Sequence, residues 1–365
     1  MRKIGILTFH TADNYGAVLQ AYALQNFITE HLNHDAEVIN FSTPLLENEY
    51  GIMCLGSKNP VKNIVLKFIN LLYYTELKRK KDRFNSFRND LIKLSDRKYV
   101  SSDDLKNKIY PYDVFISGSD QVFNPDINYS DIYYLNFHKG RGIKVAYAPS
   151  FGISDFTSEI SDRIKPWLDD FDSLSCREEI GAKYLSQLMN TRIPCVIDPV
   201  FLLEKEDWLK IAIPPKTQYK YLFVYDLNGG EKLLEIACKI AAEKKLKVVC
   251  CTAKIQKRYK GVKCVYDLGP LELLGYIANA SFVVTDSFHG TSLSVILESE
   301  FVSYIATQKT ASRITSLLNS IGLKDRIVCN QDIANMNCID TFAYKRTLNK
   351  LRSFSIEFLQ NAIDL

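Results

Sequence analysis

Few backbone arrangements satisfy the stretch Phe282 to Glu298, which reads Phe-Val-Val-Thr-Asp-Ser-Phe-His-Gly-Thr-Ser-Leu-Ser-Val-Ile-Leu-Glu. An apolar run stops at Val284, small and polar residues follow, and apolar positions return at helical spacing with Leu293, Ile296 and Leu297. That order predicts a strand, a tight loop and a helix. In an open α/β sheet, ligands collect beyond the carboxyl ends of the strands. The N–H groups that open the following helix favour an anion. This loop offers Asp286, Ser287, His289, Gly290 and Thr291. A plain turn does not call for His289. The competing account makes it a helix cap bonded to a backbone carbonyl, but its companions and its position favour a functional site.

The same alternation recurs along the chain. Lys3–Phe9 is expected to be a buried strand, and Asp13 or Asn14 can cap a helix from Gly16 onward. Glu37–Phe41 is the next strand, and residues 43–60 look irregular. A long helix is expected from Val61 to about Lys93, carrying the basic run Lys78-Arg79-Lys80-Lys81-Asp82-Arg83. That run is either a solvated helix face or a face for anionic lipid or an anionic acceptor. Strands follow at Tyr112–Ile116, Lys144–Ala148 and Phe171–Ser175, and a helix at Cys176–Ala182. A second series begins at Lys220, with strands at Tyr221–Tyr225, Lys247–Cys251, Val262–Val265, Ser281–Val284 and Phe301–Ala306. Helices are expected between them, at Glu231–Glu243 and Leu271–Ala278, and another around Arg313–Leu318. Repeated β-α with short links predicts parallel sheets covered on both faces. A chain of 365 residues is long for a single core, so two domains are expected. They are placed at 1–170 and 171–338, with a helix over 339–365 returning to the first.

Three loops of similar chemistry fall in the first half: the one before Gly16, Ser117-Gly118-Ser119-Asp120, and Pro149-Ser150-Phe151-Gly152. The glycine of the second lets backbone approach a ligand closely; an ordinary turn capped by Asp120 is the alternative. The first loop lacks the spacing of a dinucleotide-binding glycine loop, so no nicotinamide site is read. Arg177 at the start of a helix opposes the macrodipole and needs a negative partner. That partner is Glu178 or Glu179, or a ligand anion. Asp198-Pro199 marks a strand end and turn.

Composition excludes several classes. The 47% hydrophobic content is ordinary for a globular protein, and no apolar run has the length of a membrane span. The opening strand is too short and too β-like for a signal peptide, so a cytoplasmic location is expected. Nine cysteines show no C-x-x-C pair or metal-ligand spacing and read as small core residues. A formal charge of +4 and dispersed aromatics give no nucleic-acid signature. No metal site or cofactor is expected.

Taken together, six motifs resemble those of the polysaccharide pyruvyl transferase family. They are Asn14–Leu24, Ser117–Pro125, Tyr147–Gly152, Ser175–Glu179, Asp198–Leu203 and Thr285–Thr291, in the family's order. The resemblance implies two Rossmann-like domains facing a cleft, in the manner of glycosyltransferase-B folds. It implies transfer of the enolpyruvyl unit of phosphoenolpyruvate to sugar hydroxyls of a surface polysaccharide or its lipid-linked precursor, giving a pyruvate ketal. Arg177 matches the family's donor-binding arginine and His289 its histidine beside the phosphate, with Ser287, Gly290 and Arg313 as further donor contacts. His289 is expected to be the acid, and Asp120, or less favourably Asp286, the base. Asn14, Tyr15, Ser119, Ser150 and Asp286 are expected on the acceptor side or behind it. Some branches of the family carry an arginine where this chain has Ser287, so one donor cation is either missing or supplied from elsewhere, with Arg313 and Lys309 as the candidates. A lipid-linked acceptor would place the enzyme at the inner leaflet through residues 70–83. The competing expectations are a glycosyltransferase using a nucleotide-sugar and a non-catalytic glycan-binding or assembly protein.

Overall fold

The computed structural model describes residues 1–43, 70–106, 108–127, 130–228, 230–252, 260–305, 308–329 and 338–365, the side chains of 130 and 308–311 excepted. Residues 44–60 of the irregular stretch expected at 43–60, the first turns expected from Val61, and the Lys309 side chain lie outside the described residues. The chain divides into two compact units. Unit 1 takes the described residues of Met1–Asn48, Arg88–Leu203 and Leu348–Leu365; unit 2 takes those of Glu49–Phe87 and Glu204–Thr347.

Unit 1 runs β1 (Lys3–Leu7), α1 (Tyr15–Asn26) and β2 (Asp35–Val38), then the end of α2 (Tyr74–Leu91). It continues through β3 (Val114–Ser117), β4 (Ile143–Ala146), α3 (Ser158–Leu168), β5 (Ser173–Leu174) and α4 (Glu179–Leu188). The strands pair in parallel in the order β2-β1-β3-β4-β5. Side chains of β1 and β3 are buried almost throughout, as befits strands covered on both faces. The core is rich in rings: Phe115, Phe123, Tyr133, Tyr134, Phe137 and Phe151 all belong to it.

Unit 2 contains α5 (Lys205–Ile211), β6 (Tyr221–Asp226), α6 (Glu231–Glu243), β7 (Lys247–Thr252), β8 (Val262–Val265), α7 (Pro270–Ala278), β9 (Phe282–Thr285), α8 (Phe288–Ile296), β10 (Phe301–Tyr304), α9 (Gln308–Ser320), β11 (Ile327–Val328) and the start of α10 (Thr341–Asp364), which belongs to unit 1 from Leu348 onward. Its six strands pair in parallel in the order β11-β10-β9-β6-β7-β8. Helix α6 shows why the pattern folds this way. Leu233, Leu234, Ala237, Ile240 and Ala241 recur at helical spacing and are buried, while Glu231, Lys232, Glu235 and Glu243 stay in solvent. Each large apolar side chain so buried contributes about 1.5–3 kcal/mol.

The unit boundaries differ from those expected. β5 pairs with β4, so residues 171–203 belong to unit 1, and residues 70–87 belong to unit 2. Strand β2 lies two to three residues earlier than expected because Lys3 to Ile6 take Asp35 to Val38 as partners; Phe41 instead bridges Tyr99. Helix α4 starts at Glu179 rather than Cys176, whose backbone is held in a bridge to Cys195. Among the described residues, no helix is long and apolar enough to cross a membrane.

Candidate functional site

In each sheet the strand order reverses once, and in open α/β sheets such a switch point is where ligands bind. In unit 1 that point lies between β1 and β3, in unit 2 between β6 and β9.

At the switch point of unit 1, the loops after β1 and β3 are stitched together. Thr8 Oγ1 donates to the Ser119 carbonyl at 2.9 Å, and Gln20 Nε2 donates to Thr8 Oγ1 at 2.9 Å. A Cβ on Gly118 would meet Thr8 Cβ at 2.8 Å, so the approach requires glycine. Asn14 caps α1, its Oδ1 accepting from Gly16 N and Ala17 N, and Tyr15 is buried behind it. Arg88 clamps the preceding loop through Asp13 (2.8 Å) and the carbonyls of Thr11 and Ala12. His10 is buried in this loop beside the Thr8 carbonyl, and burial pulls its imidazole down to about 4.

Beyond β3, β4 and β5 the polar residues converge on Arg177. Its Nη1 lies 2.6 Å from Asp198, Nε 3.2 Å from Glu178 and Nη2 3.9 Å from Asp120. Burial works against the guanidinium's charge, but Glu178, Asp198 and Asp120 outweigh it and hold the group above the usual arginine range. Ser119 Oγ lies 2.8 Å from the Ala148 carbonyl and 3.2 Å from Asp198 Oδ2. Ser150 N donates to the Asp120 carbonyl at 2.8 Å. Asp120 itself has φ 70° and ψ −170°. That region is essentially reserved for glycine, and a side chain there costs on the order of 1–3 kcal/mol. Ala148, two residues past the end of β4, also has positive φ, at 54°.

Unit 2 repeats the device with other residues. Asp286 accepts from Leu227 N (2.8 Å), Asn228 N (3.1 Å) and Asn228 Nδ2 (2.7 Å), tying the loop after β9 to the loop after β6. Thr285 Oγ1 donates to the Tyr225 carbonyl, and Ser287 Oγ caps α8 by accepting from Gly290 N at 3.3 Å. A Cβ on Gly290 would meet Thr285 Oγ1 at 2.4 Å and Tyr225 Cδ1 at 2.8 Å, so only glycine lets α8 lie this close to the strands. Every residue of α8 is buried, and His289 sits in its first turn, 8% exposed, with its ring edge-on to Phe288.

The sequence-derived residues therefore fall into two groups. Asn14, Tyr15, Ser119, Asp120, Ser150 and Arg177 lie at the carboxyl edge of the sheet of unit 1. Asp286, Ser287, His289 and Gly290 lie at that of unit 2, with Arg313 on α9, which packs against α8. The partners anticipated for Arg177 resolve into carboxylates: Glu178 as expected, and also Asp198 and Asp120. Asp198 was legible only as a turn; nothing near it in sequence points to a residue 21 positions earlier. His10 and Arg88 were also missed. A histidine directly after a buried strand is the available signal for the first, whereas Arg88 lies far from the loop it holds.

Solved structures similar to this chain include UDP-N-acetylglucosamine 2-epimerase from Rickettsia bellii, at 12% identity and TM-score 0.47, covering 100% of this chain and 97% of that one. An S. aureus MnaA–UDP co-structure matches at 9% identity and TM-score 0.49, covering 100% and 91%. E. coli heptosyltransferase WaaC with ADP matches at 11% and 0.41, covering 96% and 99%. No curated protein matches the chain. The polysaccharide pyruvyl transferase profile matches residues 14–306. That span contains the unit 2 switch point and all six sequence motifs, and the chain belongs to the polysaccharide pyruvyl transferase family.

Proposed function

We propose that the protein transfers the enolpyruvyl group of phosphoenolpyruvate to two hydroxyls of a glycan or lipid-linked sugar, forming a pyruvate ketal and releasing inorganic phosphate. The observation that carries this reading is Asp120, a buried carboxylate facing the Arg177 guanidinium in a backbone conformation that side chains avoid. Strain of that kind persists where the surroundings impose it, and it clusters at functional sites.

The donor is a small polyanion and needs N–H donors and cations more than volume. Unit 2 offers the amino terminus of α8, with Ser287, His289 and Gly290 in its first turn, and Arg313 on the neighbouring helix. His289 delivers a proton to the methylene carbon of the donor, or to the departing phosphate. The first sugar hydroxyl adds to the adjacent carbon, and Asp120 accepts its proton. The second hydroxyl then displaces phosphate from that carbon, giving its proton to the leaving group. Arg177 faces three carboxylates. One guanidinium cannot neutralise them, and the surplus negative charge disfavours an anionic donor there. Its role in this proposal is to position Asp120, with Asp198 and Ser119 behind it; this replaces the donor contact expected of it. Asp286 spends its acceptors on backbone and amide N–H groups, which suits a supporting residue. No resident cofactor enters the scheme. The acceptor is taken to be reached at an anionic membrane surface through residues 71–78.

Phosphate release from phosphoenolpyruvate in the presence of acceptor sugars tests the reading. His289→Ala and Asp120→Asn should each slow it by roughly a hundredfold or more. Phosphoenolpyruvate should also raise the thermal midpoint of the wild-type protein. A rise with nucleotide-sugars and none with phosphoenolpyruvate would transfer the assignment to a glycosyltransferase. Silence of both ligands, with silent substitutions, would leave a glycan-binding protein.

A further inference from the structure

We propose that unit 1 carries a second binding site, for an acidic saccharide, at the amino-terminal edge of its sheet. A pocket of about 730 Å³ is lined there by the segments leading into β3, β4 and β5. Its size lies within the range of small-ligand sites, about 300–1,000 Å³. Asp120, Ser150 and Arg177 follow those same strands, so the pocket lies at the opposite edge of the sheet from the carboxylate cluster. Strands β3 and β4 each put four residues between the two, roughly 13 Å of extended chain.

The lining combines flat apolar faces with cations. Tyr110, Phe137 and Trp167 supply the rings, and Asn136 an amide. Lys106, Lys108, Lys139 and Arg141 supply the charge, against Asp170 as the single acid of the lining. Lys106 is paired with Asp103 at 3.0 Å, and Asp170 lies 3.6 Å from the buried Lys144 Nζ. Lys108, Lys139 and Arg141 have no acidic partner among the described residues. The turn that presents Lys139 and Arg141 is fixed: His138 is buried, stacked on Phe115 at 4.0 Å, with Nε2 3.1 Å from the Arg141 carbonyl. Three unneutralised cations beside three rings fit a ring-shaped ligand that carries an anionic group.

Phosphate-rich ligands fit less well. Pro166 and Trp167 come from the carboxyl end of α3, where the helix macrodipole is negative and repels dense anionic charge. A single carboxylate on a pyranose asks less of that end, and its apolar ring face can lie on Trp167. The inference rests on the pyruvyl-transfer reading in one respect, since that reaction is what places a carboxylate on the glycan. The pocket would then hold a sugar unit that already bears its ketal.

Isothermal titration calorimetry of the full chain tests this with three probes: methyl galactopyranoside carrying a 4,6-pyruvate ketal, plain methyl galactopyranoside, and UDP. The ketal sugar should bind at least roughly tenfold more tightly than the neutral one, about 1.4 kcal/mol. A Lys139→Ala/Arg141→Ala protein, altered only at exposed positions, should lose that preference. Trp167→Phe should weaken both sugars. Equal binding of the two sugars, undiminished preference in the double variant, or tighter binding of UDP would each overturn the proposal. Transfer of pyruvate to a small acceptor should be unchanged in the double variant. If the wild type transfers no pyruvate yet binds the ketal sugar as described, the pocket stands and the pyruvyl-transfer reading falls. If transfer proceeds and the ketal sugar shows no preference, the pocket alone falls.

Discussion

Asp120 and His10 show how burial and backbone geometry turn single side chains into specialised groups. Asp120 occupies a backbone region open to glycine. Asp120→Gly and Asp120→Ala both delete the carboxylate, but only the first relieves the strain. The glycine variant should therefore be more stable than the alanine variant by about 1 kcal/mol or more, read from urea midpoints. Equal midpoints would remove the strain argument. For His10, burial lowers the folded value from 6.5 to about 4, while the Thr8 carbonyl and Asn40 act weakly in the other direction. Below pH 6.5 the unfolded chain takes up a proton that the folded chain refuses. The stabilisation is thus intact above pH 6.5 and is lost as pH falls toward 4. Between pH 7 and pH 5 the protein should lose about 2 kcal/mol through this group. Urea titrations of wild type and His10→Gln at both pH values check this, and parallel losses would count against it.

The elements that could be read from sequence are those whose apolar spacing is decided locally. Strand β8 and helix α6 lie where periodicity placed them, at Val262–Val265 and Glu231–Glu243. Helices α3 and α5 escaped notice: α3 carries an internal Pro166 and α5 has only seven residues, with Trp208 its single fully buried side chain. The loops after β3 and β9 stand out in the sequence as candidate sites because glycine, hydroxyls and acids crowd there with no strand or helix pattern to explain them. What the loops touch was not legible, since Asp198, Gln20 and Leu227 arrive from distant segments. Close docking of α8 depends on Gly290. Gly290→Ala should push the helix off β9 and cost about 1–3 kcal/mol, the usual penalty for overpacking. A chemical-denaturation midpoint equal to that of wild type would show that the contact yields freely.

Two helices, α2 and α10, each begin in unit 2 and end in unit 1. The basic run on α2 is partly occupied: Arg79 meets Asp267 at 2.8 Å, and Arg83 meets Asp267 and Glu272. Leu71 and Leu72, 60% and 70% exposed, and the exposed Lys78 remain. Exposed leucines beside a cation are the minimal device for resting on an anionic bilayer. The protein should cosediment with phosphatidylserine-containing vesicles at low salt and be released at high salt. Leu71→Ser/Leu72→Ser should abolish the pelleting. Persistent pelleting of that variant would place the contact elsewhere.

The segment Leu348–Leu365 adds Leu348, Leu359, Ala362 and Ile363 to the buried interior of unit 1. During synthesis the ribosome releases these residues hundreds of positions after β1, so the body begun first cannot be completed until translation has passed through the other one. A nascent chain arrested shortly after residue 340 should therefore leave residues 1–203 open to protease, although nearly all of their own sequence has emerged. Whatever shields half-built chains in the cell must attend this one through almost its whole length.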